Sequence, residues 1–372
     1  MFQYKIGRWP TCQEDISMGY IAYPDKILFA ATGGTGTLQN AINQAQTTKL
    51  PLFIAPDNYS TEILDNFIHD NDNNSIVVMR SAISFDGTIV RGNQVAQSSA
   101  DFGVQAGQVA GSGWYGNGLC ALNASDILVT ENVFLNSTFS GVRLDSCFNA
   151  QVTNNQIYNS GETALMWECP VPPPAATPGD QSPYRFEGGV IGNNVVVNAG
   201  VGISVTNGWY GGRRVTISGN QVKTITRNTI TTNDPSYPSY QTVATGIVAE
   251  NDCVVTGNIV EDCASGPGIV IYSGGFANGS TRKSADLAVG NTVKGSQIGI
   301  GFFMGSSLGF SMLSSNIVEG YTGGAIVPVT LPGPSYNTFT RVAGSTDYGT
   351  TAGGLYTGKP FSNVMIGLNF AI

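Results

Sequence analysis

Charge is scarce in this chain. Asp, Glu, Lys and Arg together make up 11% of its 372 residues, against roughly a quarter in an average globular protein. Seventeen basic residues face 25 acidic ones, for a net charge of -8. So thin a basic complement supplies no cationic stripe of the kind that nucleic acid requires, which excludes that partner class. Few charges of either sign also weigh against a strongly anionic substrate. Long hydrophobic runs are missing too: none approaches the roughly 18 residues of a membrane span. The opening MFQYKIGRWP has no basic-then-apolar secretion signature, so a soluble chain without a leader is expected. Histidine occurs once, at His69, in the polar run DNFIHDNDNN, where a surface position is expected. Six cysteines are too sparse for a disulfide scaffold. Cys147 and Cys169, 22 residues apart, either bridge neighbouring turns or remain two buried thiols; Cys12, Cys120, Cys253 and Cys263 have no evident pairing.

Glycine (48 residues) and short apolar phrases fill the space that charge leaves. The phrase "apolar, two small or polar, Asn, any, apolar" recurs as VRGNQV, VTENVF, VTNNQI, IGNNVV, ISGNQV, VTGNIV, AVGNTV and LSSNIV, with its Asn at Asn93, Asn132, Asn155, Asn194, Asn220, Asn258, Asn291 and Asn316. Between these copies a second phrase, "Gly or Ala, aliphatic, any, apolar", starts at Gly118, Gly141, Ala164, Gly202, Gly246, Gly268 and Gly299. Both alternate with period two, the mark of a strand with one buried face. Aligned by phrase, the residue after the Gly or Ala is always aliphatic (Leu119, Val142, Leu165, Ile203, Ile247, Ile269, Ile300), and the residue two after the Asn is always apolar. Like residues one repeat apart stack about 4.8 Å above one another in a solenoid of parallel strands. The Asn column reads as bend chemistry, since Asn tolerates the left-handed conformation and stacked Asn side chains hydrogen-bond along the ladder.

The shortest Asn spacings, 23 to 26 residues, make one coil of three short strands. The longer ones carry insertions, near 96 to 116 and 226 to 243 between the two phrases and near 169 to 185, 208 to 212 and 274 to 284 after the second. Insertions at fixed phases of a repeat array become loops on shared faces. TGTLQNAINQAQTTK, residues 35–49, reads as a capping helix over the first coil, followed by the strand PLFIAP. With the right-handed preference of parallel crossovers, the expected fold is all-β, a right-handed parallel β-helix. Residues 1–60 form the N-terminal segment and cap, 61–335 the β-helix with its insertions, and 336–372 a C-terminal tail packing on or capping it, as a single domain.

The TLQNAINQAQ cap followed by V-[ST]-G-N-x-[VI] coils resembles the pectin-lyase-like β-helix superfamily. GETALMWE, FEGGVIGNNVVVNAGVGISVTN, GGRRVTISGN and GIVAENDCVVTGNIVED look like a twin-arginine-translocated repetitive protein family of alphaproteobacteria, over residues 110 to 300. The resemblance implies a periplasmic or extracellular location, although the family's leader is missing here and the insert CPVPPPAATPGDQSPY interrupts its pattern after Glu168. Superfamily members mostly act on polysaccharides as lyases, hydrolases or epimerases, while phage tail-spikes share the scaffold.

Counted from the Gly or Ala, positions one and three point inward and positions two and four outward. The fourth-position column reads Leu122, Asp145, Glu168, Thr206, Glu250, Tyr272, Phe303. Asp145 and Glu168 are therefore expected side by side on the solvent face of adjacent coils, with Arg143 beside them. Two carboxyls about 5 Å apart match a retaining glycosidase, in which one is the nucleophile and the other the acid and base; the rival reading is an exposed acidic pair tethered by Arg143. Glu250 and Asp252 extend the same face as further groove residues or as oxygen ligands for Ca²⁺, without a calcium-loop signature. A lyase would instead use a base such as Arg143, Arg213 or Arg214. Gly-Trp-Tyr-Gly occurs twice, at 113–116 and 208–211, making Trp114, Tyr115, Trp209 and Tyr210, with Tyr272, candidate platforms for a sugar ring or, equally, pins for long loops. Trp167 falls on an inward position. The expected partner is a polysaccharide or oligosaccharide, bound and cleaved by hydrolysis or elimination. The alternative is a non-catalytic glycan-binding envelope protein or a spike-type homotrimer.

Overall fold

The computed structural model describes residues 20–23, 27–30, 52–54, 61–71, 74–98, 116–168, 187–206, 213–231, 239–273, 284–303, 309–330, 339–349 and 364–372. The anticipated capping helix, the insertion aromatics Trp114, Tyr115, Trp209 and Tyr210, and Cys12 and Cys169 lie outside them. Among the described residues there is no helix, and the chain winds into a parallel β-helix.

Each coil contributes one strand to a ten-stranded sheet and two to a large bent sheet of 21 strands. The coil starting at Ala150–Thr153 shows the pattern: a bend follows, then a 13-residue strand, Gln156–Glu168, serves both remaining sides. Neighbouring coils pair in parallel and in register, so Val133 lies over Gln94 and under Gln156. The reason is the apolar alternation. Leu119, Val142, Leu165, Ile203, Ile247, Ile269 and Ile300 are all 0% exposed and stack in one core, and a slip by one residue would turn every one of them outward. Trp167 joins this core, and its indole N–H donates to the Cys147 carbonyl at 2.9 Å.

The Asn column is architecture, but by a different division of labour from the one its sequence implies. Left-handed backbone falls on the preceding residue, as at Glu131 (φ 59°), Asn154 (57°), Asn193 (54°) and Gly219 (66°), and on none of the eight column Asn. This leaves each Asn side chain free to bridge coils. The Nδ2 of Asn155 donates to Asn194 Oδ1 at 3.0 Å while its own Oδ1 accepts from the Nδ2 and the backbone N–H of Asn132. The chain of amides runs past the repeats visible in sequence, down to Asn66 and up to Asn369.

The glycines of the second phrase have a steric cause. A Cβ on Gly246 would lie 2.5 Å from the Gly268 carbonyl oxygen and 2.4 Å from a Val260 methyl, because the corner of one coil presses against the next. The disulfide alternative for Cys147 is not realised. Its thiol is free and buried, and it donates to the Asp145 carbonyl at 3.3 Å. At the far end, Thr340–Arg341 pairs antiparallel with Gly324–Thr330, and Asp347 accepts the N–H groups of Ala325 and Ile326. This places Phe339 in a cluster with Val248, Val270, Val327 and Val329.

Candidate functional site

The strand Val142–Asp145 alternates as its residues dictate. Val142 and Leu144 enter the core, while Arg143 and Asp145 leave it. Parallel register then sets Asp145 against Glu168 and Arg143 between Cys120 and Met166. The two acids are therefore direct neighbours on adjacent coils, about 4.8 Å apart along the ladder.

Their surroundings differ from the solvent face that the alternation predicts. Asp145 is 0% exposed and Arg143 4%, whereas the Glu168 side chain keeps 16% of its surface. Beside this wall the strands Thr229–Thr231 and Ser239–Gln241 of an insertion pair antiparallel. The insertion folds back onto the wall: Asn228 Nδ2 donates to the Gly161 carbonyl at 2.9 Å, and the Tyr240 hydroxyl donates to Glu162 Oε1 at 2.7 Å.

Arg143 is the hub of this wall. Its Nε donates to both Asp145 oxygens at 3.3 and 3.2 Å, its Nη2 donates to Glu168 Oε1, and among the described residues its Nη1 meets only the Met166 sulfur at 4.0 Å. Glu162 stands within electrostatic reach of both Arg143 and Asp145 without a hydrogen bond to either. Burial raises the pKa of Asp145, against the pull of the adjacent guanidinium. Burial likewise raises that of Glu162, against Arg143 and the Tyr240 hydroxyl, with Asp145 adding to the rise. Arg143 is held charged by Asp145 and Glu162 in spite of its own burial. Asp145 and Glu162 thus retain protons more readily than free carboxylates do, the electrostatic condition for a general acid.

Glu162 and Tyr240 were not singled out by sequence reasoning. Glu162 lies inside GETALMWE, at an even offset from Glu168, but a register irregularity between Ser160 and Thr163 hides the face it occupies. Tyr240 comes from an insertion with no repeat to align.

Glu250 does not join the cluster. It lies three ladder steps from Asp145, about 14 Å at one strand spacing per step, and is 6% exposed. On the next coil sits Tyr272, half-buried and stacked on Phe303 with centroids 4.9 Å apart and planes 13° from parallel. Asp252 accepts the Ala285 N–H at 2.7 Å. Among the described residues no three His, Cys, Asp or Glu side chains converge as metal ligands would, so the Ca²⁺ alternative finds no ligand set there. Arg214 is exposed with φ 59°, and the Arg213 side chain lies outside the described set. His69 is exposed as expected, bonded to Asp70 and stacked on Phe67. No helix among the described residues is long and apolar enough to cross a membrane.

The family described as "Right handed beta helix region" matches residues 108–327. Among solved structures, an alginate lyase from Paenibacillus sp. is similar at 11% identity over 82% of this chain and 97% of its own, with a TM-score of 0.39. The catalytic domain of a GH87 alpha-1,3-glucanase is similar at 12% identity over 87% of this chain and 70% of its own, TM-score 0.43. The enzymatically active domain of tailspike protein 2 from bacteriophage CBA120 is similar at 14% identity over 90% of this chain and 44% of its own, TM-score 0.30. Curated protein sequences give no match.

Proposed function

We propose, on the premise that the chain belongs to the right-handed β-helix family, that it binds a polysaccharide along its outer wall and cleaves it by hydrolysis. The observation that carries this reading is the Arg143 hub with Asp145, Glu162 and Glu168 gathered on one wall. Glycoside hydrolysis needs one carboxyl in its acid form to protonate the departing oxygen and one carboxylate to attack the anomeric carbon or to activate water. Glu168, partly exposed, is the carboxylate placed to meet substrate; Asp145, enclosed, holds Arg143 and through it orients Glu168. Asp145, whose pKa burial raises, is the member of the pair that can hold the proton. Elimination is the weaker reading. It calls for an unengaged cation to stabilise an enolate, and Arg143 is already bonded to two carboxylates. Glu250, Tyr272 and the insertion aromatics Trp114, Tyr115, Trp209 and Tyr210 would extend the binding surface. The resemblance of its repeats to the twin-arginine-translocated family supports a location in the periplasm or outside the cell.

The burial of Asp145 and Arg143 also favours a second reading, a glycan-binding envelope or spike-type protein in which the ion cluster only stiffens the wall. Release of new reducing ends from a glycan panel, without 4,5-unsaturated products, supports hydrolysis, and Glu168→Gln should abolish that release while leaving glycan binding intact. Ultraviolet-absorbing products would overturn it in favour of elimination. Binding without turnover, from a particle three times the chain mass by light scattering, would favour the spike.

A further inference from the structure

Two polar groups in the Arg143 cluster are left incomplete, and they are of opposite kind. Arg143 spends Nε on Asp145 and Nη2 on Glu168, but among the described residues Nη1 has only the thioether of Met166, at 4.0 Å, and a thioether is a weak acceptor. Glu162 uses Oε1 for the Tyr240 hydroxyl, while its Oε2 is buried with no hydrogen-bond partner. Buried polar atoms are nearly always satisfied, and an orphan in a candidate site points to something that completes it. The two groups sense each other electrostatically yet share no hydrogen bond.

What completes such a pair must accept from a guanidinium and donate to a carboxylate at once. A hydroxyl does both; an ionised carboxylate only accepts. A uronate would also bring a fourth carboxylate to three existing ones, with Arg143 the single cation among the described residues that bears on Asp145 and Glu162. The composition points the same way, with 25 acidic residues against 17 basic.

Building on the hydrolase reading above, we infer that Arg143 Nη1 and Glu162 Oε2 together recognise a hydroxyl of an uncharged sugar ring, so that the protein acts on neutral glycans and rejects polyuronates. Glu162 is then the specificity-determining residue, and Tyr240 the group that positions it. A site built to hydrogen-bond a hydroxyl discriminates strongly against ligands that leave its buried groups unpaired.

The test uses the full chain against neutral glucans, mannans, xylans and galactans on one side and alginate and polygalacturonate on the other, reading binding by calorimetry and turnover by reducing ends. A preference of about 100-fold or more for a neutral polymer is expected, in keeping with the discrimination of hydroxyl-binding sites. Glu162→Gln should weaken that neutral glycan about tenfold or more and narrow its margin over the uronates by removing one negative charge. Tyr240→Phe, which keeps the charge but releases the carboxylate, should weaken the neutral glycan and keep the margin; it also serves if Glu162→Gln fails to fold by circular dichroism. Equal or better action on a uronate overturns the inference while the hydrolase reading stands. Neither binding nor turnover of any glycan overturns that reading and this inference with it.

Discussion

Replacing Asn155 by alanine tests what holds successive coils in step beneath the candidate site. Asn155 is 0% exposed. Its Oδ1 accepts from the N–H and Nδ2 of Asn132 at 3.0 and 2.9 Å, and its Nδ2 donates to the Val129 carbonyl at 2.9 Å and to Asn194 Oδ1 at 3.0 Å. Alanine removes all four. At a net ~1 kcal/mol per bond the loss is about 4 kcal/mol, a large share of the roughly 5–15 kcal/mol by which domains are stable. Asn159 supplies the control. It belongs to a parallel but exposed amide row, bonded to Asn136 and Asn198, at φ 58°. Glycine accepts that backbone conformation without strain, so Asn159→Gly should cost under about 1 kcal/mol, as surface changes do. Urea unfolding followed by far-ultraviolet circular dichroism gives both values from the shift in midpoint. An Asn155→Ala cost below about 1 kcal/mol, or one equal to the control, would refute the claim that the buried amide row holds the coils in register.

Two further outcomes follow from the same geometry. Asp286 is 0% exposed, accepts from the Cys253 N–H at 2.8 Å and from Ser273 Oγ, and burial pushes its pKa well above the usual carboxylate range. A raised folded-state pKa contributes stability that is complete below the unfolded value, near pH ~4, and is lost as pH rises through the folded one. Asp286→Asn should therefore flatten part of the fall in melting temperature with rising pH, and an unchanged slope would refute the assignment. Asp145 and Glu162 carry the same sign, so the fall does not vanish altogether. Gly246→Ala must push a Cβ against the Gly268 carbonyl at 2.5 Å and should cost at least ~1–3 kcal/mol. Gly257→Asn, at φ 64° with nothing within 4 Å, should stay within about 0.5 kcal/mol, because Asn already fills the equivalent bend at Asn154 and Asn193. Denaturant midpoints separate the two glycines, and similar costs would contradict the packing argument.

Periodicity made the coil legible from the chain alone. Eight Asn, seven small-residue corners and two unbroken apolar columns determine a parallel β-helix and even the pairing of Asp145 with Glu168, because identical phrases one revolution apart have only one way to stack. That Trp167 is core followed from the same alternation, and that His69 is surface from the polar run around it. What the alternation could not tell is whether an outward side chain meets water. Asp145, Arg143 and Glu250 all point away from the core and all are buried, which the alternation alone does not foretell. The placement of Glu162 by a register irregularity, and of Tyr240 by a hairpin 78 residues further along, likewise has no trace in the repeat. Local pattern decides which way a strand's side chains face; what lies over them is a contact between residues far apart in sequence, and only the tertiary structure decides it.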